Sequence, residues 1–164
     1  MSPLLIFFAQ FAIIAYAIVG GVFLAFSDFI MRSLAHANGV EAMQVINREV
    51  FRWVFMALFL GMAAGSLLIT GYAAIGIGGI AGTAIMSAGL VYLIGCFGVT
   101  VFFNVPMNEA LAGMELGTDA TQDYWVVTYL PKWTFWNTVR TIACVVSAAL
   151  LLSGLLLLTG DHGV

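Results

Sequence analysis

The sequence predicts an all-α integral membrane protein: a four-helix bundle with an amphipathic interfacial helix between its first and second spans. Three observations predict it. Of 164 residues, 63% are hydrophobic and only 8% charged, with a mean hydropathy of +1.09, whereas roughly a quarter of a soluble domain is charged. Four apolar runs are each long enough for a span, which takes about 20 residues. The polar residues inside these runs gather toward one end of the bundle. A single membrane domain follows, with spans over about 4–31, 51–74, 77–103 and 133–158 and no length left for a soluble domain.

The first run lacks a cationic leader and is longer than the apolar core of a signal peptide, so it is expected to be retained. Gly20 and Gly21 interrupt it, and Ser27 and Asp28 lie in its last turns. Asp28 either meets a buried cation elsewhere in the bundle or sits solvated at the headgroup boundary. Arg32 to Glu49 then carries a partly apolar helical face of Val40, Met43, Val45, Ile46 and Val50 beside Glu41, Arg48 and Glu49. This is the pattern of a helix lying in the interface. Asn47 either reaches from it toward the span ends or is an ordinary surface asparagine.

Span 2 carries Gly61 and Gly65, and span 3 opens with Gly78 and Gly82, both in the G-x-x-x-G arrangement that lets helices approach closely. These faces serve packing within one chain or offer contact to a second copy in a homo-oligomer. The uncharged connection around Gly71 to Gly79 reads as a tight turn. At the end of span 3, Thr100 and Asn104 stand one turn apart and Pro106 separates Asn104 from Asn108. Proline lacks an N–H and strains a helix, so the span is expected to end or kink there. The asparagines then either line a polar pocket or satisfy the broken helix end. Glu109 to Asp123 reads as a solvated loop, Tyr124, Trp125, Tyr129 and Trp133 as an aromatic belt, and Pro131 as the first helical residue of span 4.

Span 4 poses the hardest problem for a bilayer. Trp133, Trp136, Asn137, Arg140 and Thr141 fall at i, i+3, i+4, i+7 and i+8, on one helical face. A charge near the bilayer centre costs about 2.5–3.5 kcal/mol on insertion scales, so Arg140 requires compensation. Ser27, Asp28, Asn47, Thr100, Asn104, Asn108, Trp136, Asn137 and Arg140 all belong toward the same end, where a polar cluster beneath the amphipathic helix is the natural site.

Of the five cations, Arg32, Arg48, Arg52 and Lys132 flank the two longer connections. The positive-inside rule makes those connections cytoplasmic and both termini external, as in a bacterial inner membrane. With a net charge of −3 the chain offers no basic stripe to nucleic acid. Cys96 and Cys144 both lie in spans and read as free buried thiols. The two histidines are His36 in a connection and His162 in the tail beside Asp161, and neither a facial triad nor a Cys/His set is present. No protein-ligated metal is expected. Met31, Met43 and His36 as copper ligands, or haem held by other ligands, are the competing redox reading, but methionine at helical spacing ordinarily packs.

The strings GVFLAFSDFIMRSLA, AMQVIN, VTVFFNVPMNEALA and YLPKWTFWNTVRTIA, in this order and at these intervals, resemble the anthrone-oxygenase-like family of small four-span membrane proteins. The resemblance covers nearly the whole chain. It implies oxidation of an anthrone-type polycyclic phenol, or another apolar substrate, by O2 without an evident metal or flavin. In that chemistry an acidic methylene loses a proton to give an electron-rich enolate. The expected parts are Asn104, Asn137 and Arg140 at the oxyanion, Asp28 or water as proton acceptor, and Tyr129 as proton donor. Trp133 and Trp136 would wall a substrate pocket completed by Asn47, Thr100 and Asn108. The non-enzymatic alternative is a lipid- or partner-binding bundle in which the same polar residues fix helix register.

Overall fold

The computed structural model describes residues 3–160, which places Asp161 and His162 outside the described residues. Four helices are long and apolar enough to cross a membrane: α1 (Ile6–Ala35), α3 (Val54–Gly76), α4 (Gly79–Ala112) and α5 (Asp119–Gly160). The short helix α2 (Gly39–Glu49) lies between α1 and α3. The chain is thus a multi-pass membrane protein whose spans form a bundle, with Ile14, Ile18, Leu67, Leu68, Ile94 and Val145 among the side chains turned outward to lipid. α5 packs on α1 and α4 along most of its length, whereas α3 leans chiefly on α4 and touches α1 over a shorter stretch.

Span lengths differ from the expectation at the polar end. Span 4 begins at Asp119, fourteen residues before Trp133, because Thr118 caps the helix: its Oγ1 accepts from the Thr121 N–H at 3.3 Å. The acidic stretch therefore holds only a short connection, with Gly117 at φ +80°, and Asp119–Asp123 is already helical. At 1.5 Å per residue, the 42 residues of α5 measure about 63 Å, roughly twice the hydrocarbon thickness. That length exceeds what a span requires, and α2 packs on the extra turns of α5 and on the end of α4.

Both internal prolines are accommodated rather than terminating a helix. Pro106 and Pro131 each stand two residues after a π-helical segment, Thr100–Asn104 and Tyr124–Tyr129 respectively. A proline supplies no N–H and its ring strikes the carbonyl four residues back. The wider i→i+5 turn before it absorbs the lost bond and relieves that contact. Span 3 therefore continues to Ala112, and Pro131 is an interior residue of α5. Two further π segments are present, Phe26–Ile30 in α1 and Tyr92–Gly98 in α4, while α3 is an uninterrupted α-helix.

Two apolar cores result. The larger, inside the spans, contains Tyr16, Val19, Phe23, Phe59, Tyr92 and Leu151. Two tyrosines pin α3 there: Tyr16 Oη and Ser66 Oγ are 2.7 Å apart, and the Tyr92 hydroxyl donates to the Phe59 carbonyl at 3.0 Å. The smaller core lies under α2 and contains Met31, Val40, Met43, Leu111, Trp125, Tyr129 and Trp133. Val40 and Met43 thus face protein, with Glu41, Arg48 and Glu49 exposed. Met31 and Met43 are both buried in this core.

The glycines of the spans play different parts. A side chain at Gly61 or Gly65 would meet nothing, since both line an apolar groove between α1 and α3. Gly154 instead lets α5 approach α4, and a Cβ there would lie 2.5 Å from Ile85 and 3.2 Å from the Ala81 carbonyl. Gly154→Ala is expected to destabilise the bundle by about 1–3 kcal/mol through overpacking. Gly61→Ala should be neutral or slightly stabilising, by up to about 1 kcal/mol. Thermal unfolding of the two variants in detergent, followed by tryptophan fluorescence, checks the contrast.

Candidate functional site

The polar residues form a layer between the two cores. Helices α4 and α5 run antiparallel, and successive rungs join them: Asn104 Nδ2 donates to the Trp133 carbonyl at 3.2 Å, Arg140 donates from a terminal guanidinium nitrogen to Thr100 Oγ1 at 3.2 Å, and the Cys96 and Cys144 sulfurs stand 3.4 Å apart. α1 closes the layer through its π segment. Asn137 Nδ2 donates to the Phe23 carbonyl at 2.6 Å and to Ser27 Oγ at 2.7 Å, while its Oδ1 accepts from Arg140 at 2.6 Å. Asn137 is fully buried with its amide saturated. It is the joint between α1 and α5.

Arg140 lies at the centre, 4% exposed. Its guanidinium carbon is 4.1 Å from the centroid of Phe23 and 5.2 Å from that of Trp133, so two aromatic faces contribute cation–π attraction. No carboxylate reaches it among the described residues, where the only ion pairs are Arg32–Asp28 and Arg52–Glu49. Its Nε–H has no partner, and neither does Asn104 Oδ1, although both are fully buried. The layer therefore holds one cation without a counter-ion, one free donor and one free acceptor.

On the α2 side a second group of polar side chains orients Trp133. Asn108 Oδ1 accepts from the Tyr129 hydroxyl at 2.7 Å and from the Trp133 indole N–H at 2.8 Å, and Asn47 Nδ2 donates to Tyr129 Oη at 3.4 Å. Asn47 thus reaches the site. The Trp125, Tyr129 and Trp133 rings stack in sequence at 5.3 and 6.1 Å. They form a wall inside the protein rather than a belt facing lipid.

Two expected members are placed elsewhere. Asp28 does not meet Arg140: its carboxylate pairs with Arg32 at 3.1 Å on an exposed surface, because a cation one turn away on the same helix is reached without desolvation. Trp136 turns away from Arg140 and stacks on Phe103 at 3.7 Å, half-buried at the rim. The π turn at Tyr124–Tyr129 precedes a regular helix, on which Trp136 stands about 40° from Arg140 and about 60° from Trp133, at the edge of the face that Trp133 and Arg140 share. Two contributors escaped the sequence. Phe23 covers the guanidinium but is one phenylalanine in an apolar run. Gln44 donates to the Leu111 and Met114 carbonyls at 2.8 and 3.2 Å and fixes α2 to the end of α4. Its place at i+4 from Val40 on the apolar face was the available signal.

An apolar cavity of about 660 Å³ is separate. It lies between α1 and α3 on the far side of the Phe23–Phe55–Phe59 aromatic cluster, lined by Phe8, Phe11, Ala57, Gly61, Leu68 and Tyr72 among others. It has room for an apolar molecule but no group to drive a reaction, so the Arg140 layer is the candidate site.

Fold and site together define a small four-span membrane protein with a buried, cation-centred polar layer. The sequence model of the anthrone oxygenase family matches residues 47–150, a stretch that contains α3, α4 and every site residue from Thr100 to Arg140. The chain belongs to the anthrone oxygenase family. Neither the curated proteins nor the solved structures contain a match to it.

Asn108→Leu leaves two buried donors without an acceptor and is expected to cost about 1–3 kcal/mol. Asp28→Asn removes only an exposed ion pair and should change stability by less than about 1 kcal/mol. Parallel unfolding midpoints of the two variants test this ordering.

Proposed function

We propose that the chain is a membrane-embedded oxygenase that oxidises an anthrone-type or related polycyclic phenol with O2, using the Arg140 layer to hold the substrate as its enolate. One observation carries the reading: a guanidinium 4% exposed has neutral partners and aromatic faces around it but no carboxylate. A buried cation of this kind is costly alone and is relieved by an anion. Family membership supports an oxygenase-like activity, and the unpaired Arg140 Nε–H and Asn104 Oδ1 complement a ligand that presents an anionic oxygen and a hydroxyl.

The chemistry follows from these groups. A phenolic hydroxyl donates to Asn104 Oδ1, and the developing enolate oxygen accepts from Arg140, which lowers the barrier to loss of the methylene proton. Because Asp28 is engaged with Arg32, the proton passes to water. The enolate gives one electron to O2, the resulting radicals combine as a carbon-bound hydroperoxide, and loss of water leaves the quinone. Substrate and O2 become quinone and water, with no further reductant. Trp133, oriented by Asn108, provides a flat wall, and Phe23 occupies the opposite face until substrate displaces it. Tyr129, bonded to Asn108 and Asn47, is the donor that returns a proton to the leaving hydroxide. Asn137 and Thr100 hold the guanidinium. No protein-ligated metal or flavin enters this scheme. The cation-rich end, with Arg32, Arg48, Arg52 and Lys132, is assigned to the cytoplasm and both termini to the outside.

Aerobic incubation of the purified protein with an anthrone, following quinone formation and O2 uptake, tests the proposal. Arg140→Gln should lower kcat about 10²–10³-fold, and Asn137→Ala should follow it in direction. Undiminished O2 uptake by a folded Arg140→Gln protein would overturn the assignment. A wild-type protein that consumes neither O2 nor anthrone would favour the register-fixing structural role.

A further inference from the structure

The Cys96–Cys144 pair has no part in the scheme above, and its setting is unusual. Both thiols have zero exposure and are free. Their sulfurs are 3.4 Å apart across α4 and α5, on the rung directly inward of Thr100 and Arg140. Each cysteine is one turn from a member of that rung, and the Thr100 hydroxyl donates to the Cys96 carbonyl at 2.8 Å. The helices are close at this level, since a Cβ on Gly95 would lie 2.8 Å from that of Ala143. A disulfide needs the sulfurs at about 2.05 Å, so cross-linking closes the present 3.4 Å separation by about 1.4 Å.

We propose that Cys96 and Cys144 form a two-electron dithiol couple that reduces an apolar organic hydroperoxide delivered at the Arg140 layer. The inference rests on the oxygenase reading for the source of the peroxide, because the hydroperoxide would form one helical turn from Cys144. The position selects the oxidant: thiols buried inside the spans are reached by a molecule that partitions into the bundle, not by a charged aqueous one. Arg140 stands one turn before Cys144 on the same helix, so a cation is at hand as negative charge is drawn onto the attacking sulfur in the reaction.

The step balances. Cys144 thiolate attacks the distal oxygen of R–O–OH, the O–O bond breaks, and the alkoxide leaves as R–OH with the proton released from the thiol. Sulfur is oxidised to the sulfenic acid. Cys96 then attacks that sulfur, the S–S bond forms, and hydroxide departs with the Cys96 proton as water. One hydroperoxide and two thiols give one alcohol, one disulfide and one water. A substrate hydroperoxide intercepted in this way ends as an alcohol instead of losing water to a quinone.

The test uses the full chain in detergent under anaerobic conditions with one equivalent of cumene hydroperoxide, followed by denaturing alkylation and peptide mass analysis. The expected result is loss of both thiols, a peptide pair joined through Cys96 and Cys144, one cumyl alcohol per cross-link, and recovery of both thiols with dithiothreitol. Cys96→Ser should stop at a sulfenic acid on Cys144 that dimedone traps, and Cys144→Ser should slow peroxide loss at least about tenfold. Wild-type protein that keeps both thiols, or that accumulates sulfinic acid without a cross-link, overturns the proposal, as does a Cys144→Ser protein that consumes peroxide at the wild-type rate. Anthrone-dependent O2 uptake, measured separately on the same preparation, reports on the oxygenase reading alone.

Discussion

A guanidinium buried without a counter-ion is the constraint around which this bundle is arranged. A charge taken out of water costs several kcal/mol even after relaxation, and the protein offsets it with neutral groups from three helices. Thr100 comes from α4, Asn137 from α5 itself, and Phe23 from α1. Each of these is in turn held by something else. Asn137 spends both amide hydrogens on α1, and Trp133 is fixed through Asn108 and Tyr129 to the end of α4 and to α2. Removing the cation would therefore loosen the alignment of helices well beyond its own contacts.

The same constraint explains why the polar layer sits where it does. A bilayer core tolerates unsatisfied backbone and charge poorly, so the layer lies toward the end of the spans where the long helices leave the hydrocarbon. Below it is the apolar core of the bundle; above it the core beneath α2 shuts out bulk water. The π segments in α1, α4 and α5 gather at or near this level. Those in α4 and α5 admit Pro106 and Pro131 into continuous helices, and the one in α1 carries Ser27. Only α3, which contributes no polar group to the layer, keeps a regular α-helix through it.

Much of this was legible in the sequence, for reasons that are physical. Four apolar runs dictate four spans, and Thr100, Asn104, Asn108, Asn137 and Arg140 declare themselves because polar residues inside such runs must find one another. What was misread depended on geometry that periodicity does not encode. Pro106 and Pro131 look like helix boundaries unless a wider turn precedes them, and a π turn leaves no repeat in the sequence. For Asp28 the sequence left two places open, a buried cation or the headgroup boundary, and the exposed pair with Arg32, one turn away and reached without desolvation, decides for the second. Phe23 was invisible, since nothing in an apolar run marks the one ring that faces a cation.

The neutrality of the Arg140 surroundings bears directly on what the site can bind. Had Asp28 reached the guanidinium, an incoming anion would have had to displace a carboxylate in a low-dielectric setting, where each charge holds the other strongly. Amide and hydroxyl acceptors and aromatic faces compensate the cation less completely, and the Nε–H is left without any acceptor. In the proposed reaction, that incomplete compensation is what a bound oxyanion would relieve. An interaction that strengthens as charge develops on the ligand acts on the transition state of enolate formation more than on the neutral ground state. The feature that makes Arg140 expensive to fold is thus the one that would make it effective in catalysis.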